Sequence, residues 1–134
     1  MILNLTQHEP TPEQRSAGVV DLPPAERAEL AKLLNFEDLP SSQTIETRAD
    51  AISMLAREYF LASQASPSDE TQAMIGGAPF LMPRLEQVLT YRGIQPIYAF
   101  SRREVVEQHL PDGSVRKSAI FRHVGFVGSA VYWR

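Results

Sequence analysis

Short apolar runs alternate with longer stretches of helical spacing along this chain, and their order predicts an α/β fold. Residues 2–5, Ile-Leu-Asn-Leu, form a brief apolar run closed by the polar Thr6-Gln7-His8, which suits a first strand. Thr11-Pro12-Glu13-Gln14 then reads as a helix start: Thr11 is placed to cap, Pro12 suits the first helical position, and Gln14 stands where a capping box needs it. Gly18 stops that helix, and Val19-Val20 predicts a short second strand.

From Pro23 the spacing is helical, with a break near Pro40. Ala28, Leu30, Ala31, Leu33 and Leu34 form one apolar stripe, and after Ser41 or Ser42 as cap, Ile45, Ala49, Ile52, Leu55, Ala56 and Tyr59 form another. Residues 62–71 carry the strongest loop composition in the chain. Beyond them, residues 73–75 run into Gly76-Gly77, a helix is predicted over 84–91 with Pro83 at its start and Gly93 at its end, and residues 94–100 supply the next strand. Strand, helix, strand in this order predicts two parallel neighbours joined by a crossover. Pro111-Asp112-Gly113 then marks the turn of a hairpin between residues 105–110 and 115–127. A two-residue loop there sets His123 opposite Arg102, and a three-residue loop sets it opposite Ser101. The expected architecture is one domain over residues 1–134: three-layer and Rossmann-like, with a mainly parallel central sheet and a C-terminal antiparallel β-hairpin.

Composition narrows the function classes. A formal net charge of -3 argues against a protein that coats nucleic acid through bulk positive charge. The chain has no cysteine, which removes disulfides, thiolate metal sites and cysteine nucleophiles; neither a cofactor nor a metal ion is expected. No apolar run is long enough to span a membrane and the first residues lack the pattern of a signal peptide, so a cytoplasmic address is expected.

Three segments carry the candidate chemistry: Thr6-Gln7-His8, Gly76-Gly77 and Ser101-Arg102-Arg103. If the runs they close are parallel neighbours, their carboxyl ends converge where open α/β sheets place ligands. Gly76 and Gly77 would let the backbone approach an anion. Arg102 and Arg103 would clamp a phosphate, one of them on each face of an extended chain. Thr6, Gln7 and His123 would add polar contacts, while His8 and Ser101 are the candidates for catalysis. Tyr59, Phe60, Phe80 and Phe121 stand in apolar contexts and are expected in the core.

Leu3-Asn4-Leu5-Thr6-Gln7-His8, Ile75-Gly76-Gly77-Ala78-Pro79 and Tyr98-Ala99-Phe100-Ser101-Arg102 together resemble the layout of small Rossmann-like domains of CRISPR-associated defence systems. That resemblance implies binding of cyclic oligoadenylates at a dimer interface and, in some members, metal-independent cleavage in which a ribose hydroxyl attacks the adjacent phosphate. Residues 23–64, where that layout would hold further strands, depart from it. Two function classes remain open. One is a site for a small anionic ligand such as a nucleotide, with or without phosphodiester cleavage. The other is a non-enzymatic interaction or regulatory protein that homo-oligomerises through its hairpin and the apolar Val131-Tyr132-Trp133.

Overall fold

A computed structural model describes residues 1–63 and 70–129. The elements are β1 (Ile2–Leu5), α1 (Pro12–Ser16), β2 (Val19–Asp21), α2 (Pro24–Leu34), α3 (Ser42–Ala62), β3 (Gln72–Ile75), α4 (Met82–Tyr91), β4 (Gln95–His109) and β5 (Val115–Gly128). Local signals account for most of the helix starts. Thr11 caps α1 with the reciprocal Gln14 capping box, Ser41 caps α3 by accepting from the Thr44 amide, and Pro83 lies in the first turn of α4.

The five strands form one sheet in the order β2-β1-β3-β4-β5. The first four are parallel, with Ile2 beside Val19, Leu5 beside Ile75 and Met74 beside Ile97, and β5 runs antiparallel to β4. Leu3, Leu5, Ala73 and Ile75 point to one face, where they pack with Leu30 and Leu34 of α2, Ile52 and Ala56 of α3, and Leu85 and Leu89 of α4. Arg92, at the end of α4, donates to Ser53 Oγ at 2.8 Å and pairs with Asp50 at 3.0 Å, tying α4 to α3. Ile2, Val19, Met74 and Ile97 point to the other face and pack with Phe126. The three long helices therefore share one face. The expected three-layer plan goes further than this arrangement, since the described helical cover opposite α2–α4 amounts to the five residues of α1.

A second expectation is corrected. Ser101-Arg102-Arg103 does not close a strand; it lies inside β4, which runs on without interruption to His109. The cause is β5, whose residues 115–123 pair with residues 101–109 long after the parallel neighbour β3 has ended. The loop at 111–113 has three residues, with Gly113 at φ +87° where a left-handed residue closes such a turn, and Ser101 accordingly faces His123. Between Phe100 and Ser101 the register shifts, because Gly125 and His123 are the partners and Val124 is an extra residue on β5: a β-bulge. The outer β4–β5 pair is thus a two-stranded arm about 30 Å long at 3.3 Å per residue.

The predicted loop at residues 62–71 lies largely outside the described residues, as do Val131, Tyr132 and Trp133. Among the described residues no helix is long and apolar enough to cross a membrane.

Candidate functional site

The strand order carries a direct consequence for ligand placement. From β1 the chain first moves to one side, to β2, and later returns past β1 to β3 on the other side. Crossovers of one hand that lead in opposite directions leave a crevice between β1 and β3 at the carboxyl edge, the switch point where ligands bind in sheets of this order.

Two depressions open at that edge. The larger, of about 510 Å³, is lined by Thr6, Gln7, His8, Leu34, Asn35, Phe36, Gly76, Gly77, Ala78 and Phe80. The smaller, of about 290 Å³, shares Thr6, His8 and Gly76 and adds Glu9, Gln14, Tyr98 and Ala99 among its walls. Five of the expected site residues, Thr6, Gln7, His8, Gly76 and Gly77, therefore meet in one hollow. Ser101, Arg102, Arg103 and His123 line neither depression. With Met74 beside Ile97, residue 99 stands level with residue 76, and Arg102 follows about 10 Å further along the arm. Both arginines are exposed and unpaired among the described residues, with Arg102 directly opposite Arg122. His123 packs against Phe126 at 4.8 Å, and its Nδ1 has no hydrogen-bond partner among the described residues.

The loop after β1 is held by a residue whose importance its type alone did not disclose. Asn4 is completely buried, and its Nδ2 donates to the His8 carbonyl at 2.9 Å and to Asp21 Oδ1 at 3.0 Å. Its Oδ1 accepts from the Thr6 amide at 2.9 Å and from Thr6 Oγ1 at 2.7 Å. Arg27 of α2 adds a hydrogen bond to the His8 carbonyl at 3.1 Å, and its Nη1 lies 3.2 Å from Asp21 without hydrogen-bond alignment. These bonds fix the backbone of residues 6–8 and leave the exposed His8 imidazole directed at solvent and the depressions.

The opposite wall is built around glycine. Gly77 adopts φ +149°, a region side chains rarely occupy, and an added Cβ would meet Met82 and Leu34 at 3.6 and 3.7 Å. Residues 76–81 form a connection in which the amides of Gly77, Ala78 and Phe80 donate to no backbone acceptor among the described residues. These amides precede α4 and do not belong to its N-terminus, which begins at Met82.

Phe80 departs from the expected core role. It is 48% exposed and meets Phe36 edge-on at a centroid distance of 4.9 Å, so the two rings form the apolar wall of the larger depression. Arg48 lies over the Phe36 ring, 4.3 Å from its centroid, and donates to the Asn35 carbonyl. The depression is thus lined by three residues whose amides meet no backbone acceptor among the described residues, by an aromatic wall and by one imidazole, with no carboxylate among its lining residues. Its chemistry suits an anionic ligand with a flat apolar part. No group of three or more metal-ligating side chains occurs among the described residues.

Residues 1–127 match the uncharacterised MJ1673 protein family, and the chain belongs to that family. No curated protein and no solved structure matches the chain.

Proposed function

We propose that this protein binds a nucleotide, or another phosphate-bearing small ligand, in the depression between the carboxyl ends of β1 and β3. The observation that carries the reading is that Gly77, Ala78 and Phe80, whose amides meet no backbone acceptor among the described residues, line the same hollow as the exposed Phe80–Phe36 wall. A phosphate would accept from the amides, and a base would stack on Phe80. Thr6 and Gln7 would supply neutral hydrogen bonds. His8 would donate to the phosphate through its imidazole. In this reading the fold is a doubly wound Rossmann-like one, with α1 standing in for the second outer layer.

Binding ranks ahead of catalysis. Acid–base cleavage of a phosphodiester would need a second group beside His8, and Ser101 stands on the arm, outside the hollow. The charge clamp moves as well: Arg48 lies over the lining residue Phe36, 4.3 Å from its ring centroid, whereas Arg102 and Arg103 line no part of the hollow.

Calorimetric titration with mononucleotides, cyclic oligoadenylates, sugar phosphates and inorganic phosphate tests the proposal. Phe80→Ala is expected to weaken nucleotide binding about tenfold, matching roughly 1–3 kcal/mol of stacking, and to leave the binding of inorganic phosphate unchanged. Joint replacement of Arg102 and Arg103 by Ala should leave nucleotide affinity intact. Absence of binding by every one of these ligands at millimolar concentration would overturn the proposal.

A further inference from the structure

The arm presents a physical problem that the ligand site does not address. An isolated two-stranded hairpin is marginally stable in water, and beyond Ile97 no strand among the described residues flanks β4 on its other side. Yet the arm carries Val105 at 63% exposure, Phe121 at 73% and Val115 at 49%. Alternation along each strand, together with the register, assigns these side chains to faces. Arg103 and Phe121 are opposite each other on one face, followed by Val105 opposite Ala119, Glu107 opposite Lys117, and His109 opposite Val115. The other face holds Arg102 opposite Arg122, Glu104 opposite Ile120 and Val106 opposite Ser118.

The first face is self-complementary. Its apolar centre, Val105 and Ala119, is bordered along β4 by a cation at one end, Arg103, and an anion at the other, Glu107. When two such faces meet antiparallel about a twofold axis through the centre, residue 105 + k of one copy faces residue 105 − k of the other. Arg103 then meets Glu107 twice, and each Phe121 lies over the partner's Lys117 stem. Arg103 has no ionic partner within its own chain among the described residues, and Glu107 has only the exposed Lys117 at 3.7 Å. The second face lacks this property: Glu104 is already paired with Arg122 across the strands at 3.0 Å, and a twofold axis centred there would set Glu104 against its own copy and Arg102 against Val106.

We infer that the arm's Val105–Ala119 face is a docking surface for a second copy of this chain, packed face to face and antiparallel. Sedimentation velocity across a concentration series is expected to show monomer converting to dimer. Val105→Asp and Phe121→Asp, both at exposed positions, should each abolish the dimer while leaving the thermal midpoint of a dilute sample unchanged. Arg103→Glu and Glu107→Arg should each weaken association, and the two together should restore it, since the exchanged charges again meet across the twofold axis. A chain that stays monomeric at every concentration overturns the inference. So does a dimer that survives both aspartate variants, which would pair by its strand edges, and so does failure of the charge exchange to rescue. Each outcome is read without any ligand and is independent of the nucleotide reading.

Discussion

The parallel body and the β4–β5 arm are parts of the same sheet but are stabilised by different means. In the body β1 and β3 each lie between two parallel neighbours, and α2, α3 and α4 bury one face so completely that Leu3, Leu5, Leu85 and Leu89 are inaccessible to solvent. In the arm the backbone ladder is equally regular, yet most side chains on both faces are exposed. Backbone pairing alone therefore does not make a core. The body's rigidity comes from apolar contact with helices, and the arm's order comes from its turn, its cross-strand pairs and its root in the sheet.

The sharpest way to break this contrast is a matched pair of truncations. Leu85→Ala should cost about 2–5 kcal/mol, because it opens a cavity in a packed core. Ile120→Ala, on the arm face opposite the proposed docking patch, should stay within about 0.5 kcal/mol. Urea unfolding of both variants measures the difference, and comparable costs would mean that the arm is as firmly packed as the body.

Asn4→Ala is the next largest effect. It strands the Thr6 amide and leaves the His8 carbonyl with Arg27 but without its shortest donor, and it should cost about 1–3 kcal/mol while also weakening ligand binding, because residues 6–8 lose their template. Thermal unfolding and calorimetry read the two effects separately; stability loss without any change in binding would detach Asn4 from the site.

The smallest effect concerns Tyr98, at the junction of body and arm. Partial burial, and then the nearby Glu86 carboxylate, raise its hydroxyl above the ordinary value of 10.0. The folded chain holds that proton after the unfolded chain has released it, so stability is complete below pH 10 and declines as pH rises beyond it. Tyr98→Phe should flatten this alkaline decline in urea midpoints; an unaltered slope would assign the decline to other groups.

The fold was legible where local chemistry decides structure. The Thr11 capping box, Pro83 in the first turn of α4 and the hairpin turn at 111–113 act within a few residues and occur where the pattern predicts, and the structure decides between the open alternatives in favour of the Ser41 cap and a three-residue loop. The convergence of Thr6, Gln7, His8, Gly76 and Gly77 was legible for the same reason, since each follows directly upon a short parallel strand. What escaped depended on distant partners. Ser101-Arg102-Arg103 looks like a strand end in sequence, but residues 121–123 extend the ladder past it. Phe80 reads as core by its apolar neighbours Leu81 and Met82, although only those two are buried. Asn4 sits in a strand pattern, and nothing near it announces that its amide will organise the loop four residues on.

The bulge at Val124 separates where the arm points from what holds it together. Removing Val124 would leave Phe100 facing Gly125 and Ser101 facing His123, so no cross-strand partner would change. Only the local coiling of the ribbon would relax. One residue thus acts as a steering element, and its deletion would re-aim the tip while leaving the pairing code of the hairpin untouched.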